Sequence, residues 1–193
     1  ASMQRELGNF EESLEAFRAS VEGFERVYGP DAEQTLTTRS DYAGILSRLG
    51  RHEEALEIMR DVSARAEASL GARHPVRLNA QNALAFALTS VGRLDESAPL
   101  YESVLEARME VLGASHPFTL LSMNNLAYLR VRQGDLEAAL PLFQEAAAGH
   151  ARARGEGHPA TLLALNNVAY VQNALGNTEE ARGLYERVYA GRV

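Results

Sequence analysis

Apolar and polar residues follow one another along the chain with the spacing of amphipathic helices. In the first clear stretch, Leu36, Ala43 and Leu46 fall on one helical face, which predicts a helix over residues 35–49. A second run of helical spacing predicts another helix over residues 52–70, and a Gly lies between the two. Because Gly typically follows a helix end, the pattern indicates an all-α fold built from pairs of helices.

The same pattern returns every 42 residues along the whole chain. Each unit is predicted to contain helix A, a Gly turn, helix B, a second Gly and a His-Pro loop, in which Pro suits the first helical turn. Neither helix can bury its apolar stripe alone, so the copies must stack as a repeat array. The columns that keep this period include Gly8, Gly50, Gly92, Gly134 and Gly176; Gly29, Gly71, Gly113 and Gly155; Ala43, Ala85, Ala127 and Ala169; and His74-Pro75, His116-Pro117 and His158-Pro159.

Three residues fix the spacing within the unit. Ala43 lies seven residues before Gly50, Ala55 lies five residues after it, and Met59 lies nine residues after it. Small residues let helices A and B approach closely, and the large one fills the gap to the next unit. This spacing resembles the tetratricopeptide repeat (TPR) pattern, and the longer loop with the "NNLA" motif resembles the kinesin light chain class. The resemblance covers residues 7–190 and implies a right-handed superhelical TPR solenoid of antiparallel helix pairs.

The boundaries of the array follow from the same period. We expect a single solenoid over residues 1–193, preceded within residues 3–29 by the end of a helix A and an orphan helix B. The repeats are expected at about residues 35–71, 77–113, 119–155 and 161–190. No polar capping helix follows the last copy, although solenoid ends normally need one. The sequence therefore predicts either a fragment of a longer protein or an array that self-associates through its ends.

Paired asparagines in helix A suggest a binding face. Asn is worth roughly 0.6 kcal/mol less than Ala in a helix interior, yet two stand side by side in the third and fourth copies. They lie off the packing stripe, and helix A lines the concave groove of TPR proteins. The resemblance implies that the second Asn of each pair, Asn125 and Asn167, holds a peptide backbone, for which the amide has both a donor and an acceptor. The candidate peptide-binding residues are Asn82, Phe86, Asn124, Asn125, Tyr128, Arg132, Asn166, Asn167 and Tyr170.

A structural role for the same residues is the alternative. The Asn columns can instead hydrogen-bond a neighbouring repeat and fix the angle between repeats, above all the first column, Asn82, Asn124 and Asn166. The aromatic residues can pack across the groove as well as they can contact a ligand. Two departures from the motif, Asp41 and Ala83, replace the second Asn in the first and second copies.

Composition and charge exclude several other classes. The net charge of −7 argues against a nucleic-acid binder, and the absence of Cys excludes disulfides and thiol chemistry. No stretch approaches the ~20 apolar residues of a membrane span, so no membrane partner is expected. All basic residues are Arg, which together with the many Ala residues suggests a bacterial source with GC-rich coding, and we expect a cytoplasmic protein.

Catalytic and metal-binding patterns are missing from the sequence. There is no phosphate-binding Gly loop and no nucleophile–His constellation, so no enzyme activity and no cofactor are expected. The three His-Pro pairs fall in successive repeats, too far apart to share a metal ion, and no metal site is expected.

The sequence thus favours a scaffold that holds a protein partner or an extended peptide segment in the groove lined by helix A. Such a module is expected to be the recognition or sensor segment of a longer protein. The alternative is a structural module that self-associates end to end through its uncapped solenoid ends. A third hypothesis is regulation of an attached catalytic domain through a change of superhelical pitch.

Overall fold

Every regular element of the described residues is an α-helix. The computed structural model describes residues 2–191. Over these residues the helices are α1 (Ser2–Tyr28), α2 (Glu33–Arg48), α3 (His52–Ser69), α4 (Pro75–Ser90), α5 (Leu94–Leu112), α6 (Pro117–Gln133), α7 (Leu136–Arg154), α8 (Pro159–Ala174) and α9 (Thr178–Ala190). Helices α2, α4, α6 and α8 are the A helices, and α3, α5, α7 and α9 are the B helices.

The 42-residue period of the sequence is the period of the helices. Successive A helices begin 42 residues apart, at Glu33, Pro75, Pro117 and Pro159. Successive B helices keep the same interval and begin at His52, Leu94, Leu136 and Thr178. No insertion therefore disturbs the register between one copy and the next.

The His-Pro pairs start the A helices. In α4, α6 and α8 the Pro occupies the first turn, as predicted, and the preceding His is the N-cap residue. The Nδ1 atoms of His74, His116 and His158 accept hydrogen bonds from the backbone N–H two residues later, at 3.3, 3.2 and 3.1 Å. These bonds satisfy N–H groups that have no partner within the helix, which explains why the His recurs.

A hydroxyl column ties each A helix to the end of the preceding B helix. Thr35 Oγ1 donates to the carbonyl of Gly29, and Thr161 Oγ1 donates to the carbonyl of Gly155, both at 2.8 Å. In the second copy the equivalent residue is Arg77, whose guanidinium donates to a carbonyl at the end of α3 at 3.4 Å. The joint between copies is thus held by hydrogen bonds to carbonyls that a helix end leaves unpaired.

The chain forms two compact units, Ala1–Leu100 and Tyr101–Val193. In the first unit, Ala43 of α2 and Ala55 of α3 are 1% and 0% exposed and belong to one core cluster. Met59 lies in the same cluster together with Ala87 of α4. The small residues allow α2 and α3 to approach, and the larger side chain fills the space towards the next A helix, as the spacing predicts.

The second unit repeats this arrangement. Its main cluster joins Ala127 of α6 and Ala139 of α7, both 0% exposed, with Phe143 and Val168. A smaller cluster contains Leu120, Met123 and Ala146 and packs the first half of α6 on α7. The core of this unit therefore lies between the A and B helices, and one face of each A helix points away from it.

Two of the glycines do not end a helix as the period predicts. Helix α1 is continuous from Ser2 to Tyr28 and passes through Gly8, so the expected division of residues 3–29 into two helices is absent. A Gly lowers helix propensity by about 1 kcal/mol but does not exclude the helical conformation. Gly71 does not adopt the left-handed conformation, which seven other turn glycines have, and the preceding Leu70 is already extended.

One Gly allows a close approach of helices in the second unit. A Cβ atom on Gly149 of α7 would lie within van der Waals contact of Leu120 on α6, a leucine that is 1% exposed. The equivalent Gly191 lies against Leu162 in the same way, with 2.8 Å between its would-be Cβ and Leu162 Cδ2. By contrast, Gly183 of α9 has no atom within 4 Å of its would-be Cβ.

We predict opposite effects of two Gly-to-Ala substitutions. Gly149→Ala should lower the free energy of unfolding by about 1–2 kcal/mol, because overpacking a filled core costs more than the gain in helix propensity. Gly183→Ala, the matched control, should raise it by up to about 1 kcal/mol. Urea unfolding of the three proteins measures both values, and equal stabilisation by the two substitutions would contradict the close approach.

A buried arginine links α5 to α6 in the second unit. Arg108 is 2% exposed, and its guanidinium donates to Ser122 Oγ at 2.7 Å and to the Phe118 carbonyl at 3.1 Å. It also lies over the Phe118 ring, 5.4 Å from the centroid, in a cation–π contact. Burial lowers the pKa of Arg108 from its ordinary value. The same column holds Ala66 in α3 and His150 in α7, so this polar link is particular to one copy.

His150 makes the stability of the chain depend on pH. Burial, and secondarily the charges of Arg154 and His158, lower the pKa of His150 below its ordinary value. The unfolded chain therefore binds the proton more readily, and stability is present above about pH 6.5 and is lost as the pH falls through the folded-state pKa. His150→Gln should reduce the loss of unfolding free energy between about pH 7.5 and pH 5.5.

Urea unfolding at both pH values provides the measurement. His52→Gln, which replaces an exposed histidine of α3, controls for the loss of a histidine as such. An unchanged pH dependence in His150→Gln would show that its burial does not disfavour protonation.

Candidate functional site

The A helices of the second unit present an apolar and polar face away from the core. On α6, Leu121 and Tyr128 are each 44% exposed, and on α8, Leu163 and Tyr170 are 60% and 55% exposed. The asparagines, half-buried, lie between these apolar positions in the sequence of each helix. The helix A face of the second unit, defined by Leu121, Asn124, Asn125, Tyr128, Leu163, Asn166, Asn167 and Tyr170, therefore places an amide row between a leucine row and a tyrosine row.

A hydrogen bond joins the amide row across the two helices. Asn167 Nδ2 on α8 donates to Asn124 Oδ1 on α6 at 2.8 Å. The second Asn of one copy thus contacts the first Asn of the preceding copy. This contact gives both residues a part in bracing the repeats, as the structural alternative predicts for the first column. The bond leaves the Asn124 N–H groups and the Asn167 carbonyl oxygen on the same face.

The first unit has a less apolar face. On α4, Phe86 is 47% exposed and Asn82 is half-buried. On α2 the corresponding exposed positions include Thr37, Asp41 and Gly44, none of which offers a large apolar side chain. The face therefore becomes more apolar in the later copies, where the paired asparagines also occur.

The arginines on or beside the face differ in their engagement. Arg130 is paired with Glu102 of α5 and also donates to Gln133. Arg132 is exposed on α6, four residues after Tyr128. Arg132 is therefore placed to meet an acidic group, whereas Arg130 already holds one within the chain.

The conspicuous histidines have a structural explanation. His74, His116 and His158 each cap their own helix through Nδ1. Over residues 2–191, no group of three or more His, Asp or Glu side chains is arranged to hold a metal ion. In the same range, no helix has both the length and the apolar character that a membrane span requires.

Comparison with known families agrees with the helical pattern. The model of a family described as tetratricopeptide repeat matches residues 1–68, 42–107, 76–150 and 123–192. Together these overlapping matches extend over nearly the whole chain. The chain belongs to the tetratricopeptide repeat family. No curated protein sequence matches it significantly.

Solved TPR structures show the same fold. A kinesin light chain-like protein of Podosopora anserina with nearly identical TPR-like repeats is 26% identical, with a TM-score of 0.82 over 99% of this chain and 90% of that chain. A Rap protein complexed with Competence and Sporulation Factor is 15% identical, with a TM-score of 0.78 over 98% of this chain and 51% of that one. Bacillus thuringiensis PlcR, in complex with the peptide PapR7 and DNA, is also 15% identical, with a TM-score of 0.75 over 98% and 65%.

The comparisons confirm the fold class and the family that the sequence predicts. The chain has an all-α TPR solenoid fold of antiparallel helix pairs and resembles kinesin light chain repeats. A TPR fold is typical of protein-interaction scaffolds rather than of catalysts. The binding roles of the candidate residues stay a prediction. Leu121 and Leu163 were not among those candidates, although a leucine in a column that is otherwise Thr37 and Asn79 is a signal of an apolar patch.

We predict that the Asn124–Asn167 bond contributes to the stability of this TPR unit. A double-mutant cycle with Asn124→Ala and Asn167→Ala should give a coupling free energy of about 0.5–1.5 kcal/mol in urea unfolding. The same cycle with Asn124→Ala and Asn166→Ala is the control and should give a smaller coupling. Equal coupling in the two cycles would show that the bond adds nothing of its own.

Proposed function

We propose that this TPR chain is a protein-interaction module that holds an extended peptide segment of a partner protein on the face of its A helices. The observation that carries the proposal is the order of rows on the helix A face of the second unit. Amides for peptide backbone lie between exposed leucines and exposed tyrosines. Backbone groups of an extended peptide alternate with side chains on either side, which is the pattern that such rows match.

Each row has a chemical role in this proposal. The N–H groups of Asn124 and the carbonyl oxygen of Asn167 pair with backbone C=O and N–H groups, whatever the peptide sequence. Tyr128, Tyr170 and Phe86 supply apolar area and select side chains. Arg132 adds a preference for an acidic residue, while Asn82, Asn125 and Asn166 extend the amide row.

Structural neighbours support this kind of partner. Rap complexed with Competence and Sporulation Factor and PlcR in complex with the peptide PapR7 share the fold of this chain. A TPR fold of this kind can therefore accommodate a peptide. By this argument the chain is the recognition or sensor segment of a longer, cytoplasmic bacterial protein, with no role in catalysis, nucleic-acid binding or membrane binding.

A displayed library of random peptides, selected on the wild-type chain, tests the proposal. The binding of an enriched peptide is then measured by fluorescence anisotropy to Tyr128→Ala and Tyr170→Ala. Both tyrosines are about half exposed, so their loss should leave the melting temperature nearly unchanged. Each substitution should weaken binding at least about tenfold, which corresponds to ~1.4 kcal/mol.

Tyr189→Ala is the matched control, because it removes an equally large tyrosine of the same unit that is 75% exposed on α9. The control should bind the peptide as the wild type does. The absence of any enriched peptide, or equal binding to all variants, would reject the helix A face as the peptide site.

Self-association through the ends of the array is the alternative function. One observation favours it: Tyr185 and Tyr189 of α9 are 39% and 75% exposed. The alternative predicts a molecular mass that rises with protein concentration and a helix A face that tolerates substitution. Sedimentation equilibrium measures the first property, and the peptide experiment measures the second.

A further inference from the structure

The outer face of α9 repeats a surface that is covered elsewhere in the chain. Ala181, Tyr185 and Tyr189 of α9 lie 42 residues after Ala139, Phe143 and Ala147 of α7. In the second unit those three α7 residues belong to the core cluster that also contains Ala164, Val168 and Val171 of α8. The contact of α7 with α8 is therefore a template for whatever covers α9.

The exposure of this column changes sharply at α9. Its large residue is 3% exposed at Met59, 0% at Tyr101 and 4% at Phe143, but 39% at Tyr185. One turn later, Ala147 is 4% exposed, whereas Tyr189 is 75% exposed. Side chains of a type that is buried in earlier copies thus border a cleft of about 480 Å³ on α9, together with Thr178, Arg182 and Glu186.

We infer that the outer face of α9 binds an amphipathic helix supplied by another protein chain. The helix that covers α7 presents Ala164, Val168 and Val171, which are small or β-branched residues spaced by four and then three. A partner helix with the same apolar spacing can place its stripe against Ala181, Tyr185 and Tyr189. Small residues are needed because Tyr189 occupies more space than Ala147.

Charge at the cleft does not demand a charged stripe. Arg182 is paired with Glu179 at 2.8 Å and lies 3.7 Å from Glu186. The cleft therefore offers apolar area and two phenol hydroxyls rather than an unpaired ion, which favours an apolar stripe with polar flanks.

A second copy of this chain lacks the matching surface. Its Ala164, Val168 and Val171 are 5%, 4% and 0% exposed, because they already cover α7. The outer face of α9 also carries two bulky tyrosines, which in a symmetric contact would meet each other rather than small residues. The observations thus favour a separate helix over self-association.

The test uses a synthetic peptide with the sequence of α8, residues 159–174, labelled with fluorescein. The expected result is binding to the full chain by anisotropy, with a gain of helical circular dichroism in the mixture. Tyr189→Asp should weaken binding at least about tenfold, and a peptide with Val168→Asp should bind as weakly. Tyr128→Asp/Tyr170→Asp, on the separate helix A face, should leave binding within about twofold of the wild type.

Tyr189→Asp changes a mostly exposed residue and should fold, and Tyr185→Asp provides a second variant, with thermal melts of both. No binding of the α8 peptide, or loss of binding only in the helix A face variant, would overturn the inference. A concentration-dependent dimer in sedimentation that Tyr189→Asp abolishes would overturn it too, in favour of a second copy. The peptide proposed for the helix A face is unaffected by Tyr189→Ala, so the two sites fail separately.

Discussion

The closeness of helices A and B within a pair depends on a contact between alanines. Ala43 and Ala55 in the first unit, and Ala127 and Ala139 in the second, are at most 1% exposed. Because neither helix has bulk at that point, the pair can pack with little space between the backbones. The remaining sides of each helix then have fixed roles. The outer side of helix B packs against the next copy, and the opposite face of helix A is left exposed with its asparagines and tyrosines.

Periodic features of the chain could be predicted from the sequence because they depend on local chemistry. Pro75, Pro117 and Pro159 start helices since their ring fixes φ, and glycines such as Gly50 and Gly134 end helices since they accept a positive φ. Gly8 shows the limit of this reasoning, because no Pro follows it and the flanking residues keep the helix intact. A Gly permits a turn without requiring one.

Side-chain partners across helices could not be predicted in the same way. The period identifies Asn124 and Asn167 as columns of one face, but their hydrogen bond depends on the rotation between two repeats, which no single helix encodes. Arg108 shows the same limit. It replaces a residue that is Ala66 in an earlier copy, and the pattern gives no sign that it reaches Ser122. Exposure of Leu121 and Leu163 likewise depends on which face the neighbouring helices leave open.

The direction of the Asn167–Asn124 hydrogen bond gives the helix A face a polarity. With Asn167 donating and Asn124 accepting, the Asn124 N–H groups remain on the α6 side and the Asn167 carbonyl oxygen on the α8 side. Donors therefore stand at one end of this pair and an acceptor at the other. An extended chain also has a direction, since reversing it exchanges the order of its N–H and C=O groups. The face therefore distinguishes the two ends of a ligand as well as its side chains, and a sequence read backwards is a different ligand.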